Sequence, residues 1–251
     1  MPSRKTVAAK NKASKSTSKG GGKAARVAKV KIPGGVFHQV DVAAIKKIWS
    51  VDVASLEVLL NKGVVSGAGV GEKTLLDWVG HSVERVALLA FATHGFFPHY
   101  VAREFSMAGF RADFAWIVRA DHGINTSTVC FVELENALPE TLFRPGSRAQ
   151  PYFGTKFLDG FSQLVDWCSF GKTEAESNAP IAAVLAGGAS SSVSYQYCLI
   201  AGVDDFLNAH TKSRLNWWRD NIKLGHGTQF HTYSEIMGLI KFRIGNLGPA
   251  F

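Results

Sequence analysis

Cysteine is scarce in this chain: Cys130, Cys168 and Cys198 are the only three in 251 residues, and no two are spaced as C-x-x-C. An odd, scattered set of this kind excludes a disulfide framework and a cysteine-built zinc site. The eight histidines contain no H-E-x-x-H pair, which removes the common zinc-protease class. His94 and His99 flank Gly95-Phe96-Phe97-Pro98, a turn signal, and read as structural. No G-x-S-x-G elbow occurs, and Ser190–Ser192 fall in a glycine-rich turn, so a serine hydrolase is excluded. Long apolar runs are missing too. Ser177–Val203 carries no charge over 27 residues, but Gly187-Gly188-Ala189-Ser190-Ser191-Ser192 and Gln196 interrupt it. It reads as two buried segments joined by a polar turn, not a membrane span. The N-terminus is basic and lacks an apolar signal core, so a cytoplasmic location is expected.

What is present is globular: 46% apolar and 19% charged residues. The formal net charge is +8, yet ten of the 28 Lys and Arg residues lie within residues 1–32, which hold no acid. That leaves eighteen basic against twenty acidic residues elsewhere, so the body carries about −2. Residues 1–32 are mostly Lys, Ala, Ser and Gly and cannot bury enough apolar surface to offset their ordering entropy. They read as a disordered tail, either solubilising or holding phosphate by counterion release.

Pro33-Gly34-Gly35 marks the next boundary, opening a helical lead-in over 33–70. Two short helices are expected there, Asp41–Ile48 and Asp52–Asn61, with Asp52 as a cap and a stop before Gly63. Their apolar content (Leu56, Val58, Leu59, Leu60) suits packing rather than base reading. The cluster Gly67-Ala68-Gly69-Val70-Gly71-Glu72-Lys73-Thr74 fails as a phosphate loop, because Glu72 stands where glycine must precede the lysine. It also fails the dinucleotide fingerprint, whose third glycine would fall on Glu72. A flexible loop leading into one helix over Glu72–Thr93 is the expectation, with Leu75, Leu76, Val79, Val83, Val86 and Leu89 on its apolar stripe.

Two alternating strands follow. Over Arg111–Arg119, Phe114, Trp116 and Val118 point one way, and Arg111, Asp113, Ala115 and Ile117 the other. Over Ser127–Glu135, Cys130, Val132 and Leu134 oppose Val129, Phe131, Glu133 and Glu135. Asp121-His122-Gly123-Ile124-Asn125 is the turn between them. An antiparallel hairpin centred on Gly123 sets Asp113 opposite Glu133, with Cβ atoms about 5 Å apart, and Glu135 one step along the same face. Three acids so placed are either solvated or share a cation, and hard oxygen ligands suit Mg²⁺ or Mn²⁺.

Helix, hairpin and following helix with D…E-x-E resemble the PD-(D/E)xK nuclease core. Over residues 72–245 the chain further resembles the DUF4263 domain of Shedu antiphage-defence proteins. The matching features are Arg111-Ala112-Asp113-Phe114, Val132-Glu133-Leu134-Glu135-Asn136, and Gln163 with Trp167 on the next helix. Then come Ile200-Ala201-Gly202, a helix bearing Arg214 and Arg219, and Thr232-Tyr233-Ser234-Glu235-Ile236. The resemblance implies an α/β restriction-endonuclease-like core, a mixed sheet flanked by helices, over residues 71–245. It also implies a homo-oligomeric, metal-dependent endonuclease acting on nucleic acid, DNA before RNA, in bacterial immunity. A phage-derived activator belongs to the same implication.

In that reading Asp113 and Glu133 hold Mg²⁺ or Mn²⁺, Glu135 accepts a proton or binds a second ion, and Gln163, on the following helix, orients water or the nucleic-acid backbone or else is an ordinary polar residue of the helix surface. Glu135 stands where the motif usually has Lys, and Lys156, on a neighbouring loop, is the candidate to supply that ammonium. Glu72 reads as an accessory acid or a helix-dipole partner. Arg214 and Arg219 read as phosphate contacts or surface ion pairs, and Trp217 and Trp218 as packing. Two alternatives stay open: a non-catalytic nucleic-acid-binding or scaffold protein on the same fold, and an immune sensor that uses the lead-in and tail.

Overall fold

The hairpin read from alternation is the centre of a six-stranded sheet in the computed structural model, which describes residues 31–107, 109–120, 125–147, 149–188, 192–225 and 227–247. The strands are β1 (His38–Gln39), β2 (Tyr100–Met107), β3 (Phe110–Val118), β4 (Thr126–Leu134), β7 (Ser192–Ile200) and β8 (Thr228–His231), in that spatial order. A separate ribbon joins β5 (Phe143–Arg144) to β6 (Tyr152–Phe153). β1 to β4 pair antiparallel, whereas β4–β7 and β7–β8 are parallel. The parallel crossovers need helices over the sheet.

Those helices form two layers. On one face lie α1 (Val42–Val65), α2 (Glu72–Val79), α3 (Val83–His94) and α8 (Tyr233–Gly245). Ile45, Leu56, Leu75, Val86, Ile236 and Ile240 meet Phe114, Trp116, Cys130 and Val132 there. On the other face lie α4 (Thr155–Asp166), its π-helical extension Trp167–Gly171, α5 (Lys172–Glu176), α6 (Ala179–Leu185) and α7 (Ala209–Asn221). Phe157, Leu164, Trp167 and Leu215 cover Ala115, Ile117, Val129 and Phe131. The segment read as two buried stretches is α6 followed by β7, of which Ile181 and Tyr197–Ile200 are buried.

Three expectations change. The lead-in is one helix of 24 residues, not two. Asp41 is its cap, accepting from the Ala43 amide at 2.9 Å, while Asp52 is buried mid-helix and accepts from Arg85 Nε at 2.9 Å. An acid that looks like a cap in sequence is here the partner of a cation 33 residues away. The expected helix over Glu72–Thr93 is broken at Gly80, where Arg103 packs so closely that a Cβ would lie 2.8 Å from its Cδ. Ser82 then caps α3 through the Arg85 amide. Of the segment read as a disordered tail, only Lys31 and Ile32 lie among the described residues. Ile32 is buried, its amide donates to the Gly80 carbonyl at 3.2 Å, and Lys31 pairs with Asp77. The turn residues Asp121–Ile124 and Ser190–Ser191 lie outside them. Among the described residues no helix is long and apolar enough to cross a membrane.

Candidate active site

β3 and β4 pair as the hairpin arithmetic requires: Phe114 faces Val132, Ala115 faces Phe131 and Trp116 faces Cys130. One step beyond the last ladder pair are Asp113 and Glu133, and there the sheet changes character. On β2, Glu104 has φ 48°, a left-handed conformation that is costly for a residue with a Cβ. Glu104 is also skipped in the β2–β3 ladder, where its partner would be Asp113. Past this point the pairing register is kept, but the in-out alternation of both strands slips by one residue. Phe105 and Ala112 join the layer that holds Ala102 and Ala115, which regular alternation would deny them. The expected grouping of Arg111, Asp113, Ala115 and Ile117 on one face therefore ends at Asp113. Asp113 Oδ2 accepts from the Leu134 amide at 2.9 Å.

Glu133 and Glu135 are nearly fully buried, 8% and 3% exposed. Glu133 Oε2 and Glu135 Oε2 are both buried without a hydrogen-bond donor. Burial first, then the Asp113 and Glu135 charges, push the Glu133 carboxyl up to about 9, although Gln163 hydrogen-bonds to it and favours the anion. Asp113 rises to about 6, chiefly by burial, against the Leu134 amide that lowers it. Glu135 rises to about 7, again by burial first, while the Lys156 ammonium pulls it down and Glu72 pushes it up. Lys156 Nζ lies 3.0 Å from Glu72 Oε2 and 3.6 Å from Glu135 Oε2. Hydrogen bonding to Glu72, ahead of Glu135, raises the Lys156 pKa.

Backbone approach brings these groups together. Gly160 of α4 lies so near β7 that a Cβ would sit 2.6 Å from Leu199 Cδ1 and 3.1 Å from Glu135 Cγ. That close contact sets Lys156 and Gln163 over the acids. On the other side Gly69, at φ 72°, would bring a Cβ to 2.3 Å from the Ala137 carbonyl oxygen. Val70 and Ala137 exchange backbone hydrogen bonds of 3.1 and 2.8 Å, which fixes Glu72 at the first turn of α2 beside the end of β4. The glycine cluster thus docks a loop rather than holding a phosphate. Tyr233 Oη donates to the Glu135 carbonyl at 2.9 Å, so α8 clamps the same segment.

The structure thus brings Asp113, Glu133, Glu135, Gln163, Lys156 and Glu72 to one corner. The sequence reading missed Glu104, whose charge also raises Asp113. Its backbone conformation has no sequence signal, although an acid two strands from the motif was visible. Arg214 donates to the Pro151 carbonyl and lies over the Phe143 and Phe153 rings. Arg219 pairs with Glu235 through both oxygens. Both arginines are thus tied within the fold. Trp218 packs edge-on to Phe157, Phe161 and Phe230, whereas Trp217, expected to pack, is 61% exposed. A cavity of about 230 Å³ between α4, α7 and β8 is lined by Phe161, Trp218, Lys223 and Phe230 and contains none of the acids.

Among the described residues no three His, Cys, Asp or Glu side chains converge as a complete ligand set. A Mg²⁺ ion needs only one or two carboxylates, with water and substrate phosphate completing the shell. Asp113 and Glu133 meet that requirement, since Glu133 Oε2 is buried with no donor and a neighbouring acid raises its pKa.

A mixed six-stranded sheet with helices on both faces and acids on its central hairpin is a restriction-endonuclease-like core. The chain belongs to the Shedu family: the family model described as Shedu protein SduA, C-terminal, matches residues 74–237. No curated protein matches the chain.

Proposed function

We propose that this protein is a divalent-metal-dependent nuclease of the PD-(D/E)xK type that hydrolyses phosphodiester bonds, DNA before RNA, in antiphage defence. The observation that carries the reading is the pair of buried, donor-less oxygens, Glu133 Oε2 and Glu135 Oε2, beside Asp113 and within reach of one lysine. Burying a carboxylate oxygen without a hydrogen bond costs folding stability, and such an arrangement is a mark of a working site. Family membership supports the defence role.

Asp113 and Glu133 would hold the cation, with the Leu134 amide fixing one Asp113 oxygen and Gln163 fixing Glu133. Mg²⁺ or Mn²⁺ bound there would polarise the scissile phosphate and acidify a water. Glu135, with a carboxyl near neutrality, takes the water's proton at Oε2. Lys156 offsets negative charge gathering at the phosphate and is itself held in place by Glu72. This assigns the ammonium that the motif usually carries at position 135 to α4.

The test is cleavage of linear, circular and single-stranded DNA with Mg²⁺, Mn²⁺ or EDTA, comparing the native protein with Glu133→Gln. Metal-dependent cutting that the variant loses is the expected outcome. Equal cutting by both would sink the assignment of the site. Binding without cutting under either metal would replace the nuclease with a scaffold on the same fold.

A further inference from the structure

β7 turns Tyr195, Tyr197 and Leu199 toward the layer of α4 and α7, and two cavities adjoin along that row. One, of about 230 Å³, is the cavity over Leu199 already described. The other, of about 340 Å³, lies over Tyr195 and Tyr197. Leu224, Gly225 and Thr228 line both, so the two form one groove beside the α7–β8 connection. A strand rises about 3.3 Å per residue, which makes the row from Tyr195 to Leu199 about 13 Å long.

The ends of the groove differ in chemistry. At Leu199 the walls are aromatic: Trp218 stands edge-on to Phe161 and Phe230, with ring centroids 5.1 and 5.7 Å away, and all three are half-buried. At Tyr195 the lining is polar, with Ser194, Thr228 and Lys172. Tyr197, only 6% exposed, lines this end, and its Oη is buried without a hydrogen-bond partner. A buried hydroxyl left unpaired is costly, and beside a cavity it marks where a polar ligand atom belongs. The charges along the groove are Lys172, Arg219 and Lys223, and among the described residues no carboxylate lines either cavity. Arg219 is spent on Glu235. Lys172 has a long contact of 3.8 Å to Glu176, and Lys223 donates to a carbonyl, so both keep charge for a ligand.

We propose that this groove binds a free nucleoside monophosphate, with its base in the aromatic corner at Trp218 and its phosphate at Lys172 and Tyr197 Oη. A planar ring suits Trp218 and Phe230, and phosphate oxygens accept from an ammonium and a hydroxyl. An inorganic anion would leave the aromatic end unused, and an apolar ligand would leave Tyr197 Oη unpaired. Glu176 lines the next cavity beyond Tyr195, where it would repel a following phosphate, so the groove suits a single nucleotide rather than a strand. Asp113, Glu133 and Glu135 line neither cavity, so the site does not rest on the proposed chemistry.

Calorimetric titration of the full chain with AMP in EDTA, up to about 1 mM nucleotide so that even a weak site fills, tests the idea. GMP, CMP, adenosine, inorganic phosphate and a 5′-phosphorylated oligothymidylate are the comparisons. AMP is expected to bind and to quench tryptophan fluorescence, and E133Q should bind it as the native protein does. K172A and Y197F should each weaken AMP about tenfold and leave adenosine unchanged, as loss of one phosphate contact does. Y197F removes only an unpaired hydroxyl and K172A an exposed side chain, so both should melt as the native protein does. No binding of any nucleotide would overturn the proposal, as would AMP binding that neither variant weakens. Inorganic phosphate binding as tightly as AMP would replace it with a plain anion site. An oligothymidylate that AMP does not displace would replace it with a strand-binding groove.

Discussion

The Leu134 amide donates to Asp113 Oδ2 at 2.9 Å, one step past the last β3–β4 ladder pair. A side chain thus takes over the strand contact where the alternation slips, and Asp113 has a structural duty besides any chemical one. The two separate by substitution. Asp113→Asn keeps an oxygen acceptor for the amide and removes the charge, so the melting temperature should stay within a few degrees of native while cleavage is lost. Asp113→Ala strands a part-buried donor and should cost about 1–3 kcal/mol in urea unfolding. Equal destabilisation by both would show that the hydrogen bond does not hold the strands.

Glu133 illustrates a conflict between function and stability. Its folded carboxyl keeps a proton up to about 9, against an ordinary value of 4.5. Between those values the folded state binds more protons than the unfolded chain, so its contribution to stability falls as pH rises. Glu133→Gln removes that dependence. The variant should therefore melt above the native protein at pH 8, by more than at pH 5, while losing cleavage. Mg²⁺ should raise the native melting temperature by mass action and leave the variant's unchanged. A variant less stable than native at pH 8 would show that another group satisfies the buried carboxylate.

Much of this corner is legible in the sequence, for local reasons. Alternation and a turn centred on Gly123 are enough to set Phe114 opposite Val132, and with it the Asp113–Glu133 step. Lys156 is expected to supply the ammonium from a neighbouring loop, whereas it stands in the first turn of α4. What is not legible depends on distant partners. Asp52 has the sequence look of a cap, and only Arg85 makes it a buried acceptor inside one long helix. Gly80 breaks α2 from α3 because Arg103 of β2 packs on it. The slip at Glu104 and Asp113 occurs on two strands at once, and no single-strand periodicity carries it.

Gly160 offers a test of how α4 is seated. Alanine in a helix interior is normally better than glycine by about 1 kcal/mol. At position 160 its Cβ would meet Leu199, which is fully buried, and Glu135 Cγ. Gly160→Ala should therefore destabilise by about 1–3 kcal/mol, as overpacking does, and should reduce cleavage by displacing Lys156 and Gln163. Gly238 on α8 is the control, since nothing lies within 4 Å of its Cβ position. Gly238→Ala should stabilise by a few tenths to about 1 kcal/mol. Urea titration of both variants gives the comparison, and a stabilising Gly160→Ala would mean that α4 has room to move.

Glu135 is assigned as the base, and its two charged neighbours give that assignment a sign. Lys156 lowers its pKa and Glu72 raises it, both acting on a carboxyl already lifted by burial to about 7. A base must be deprotonated, so the acid limb of the cleavage rate against pH should report this group. Lys156→Met removes the attraction, and the limb should move to higher pH, with a lower plateau because the ammonium near the phosphate is lost. Glu72→Gln removes the repulsion and leaves Lys156 with Glu135 as its remaining acid partner, so the limb should move to lower pH. Opposite displacements identify Glu135 as the titrating base. Displacements in the same direction, or a limb that ignores both variants, would assign the proton transfer to another group and leave Glu135 as a ligand only.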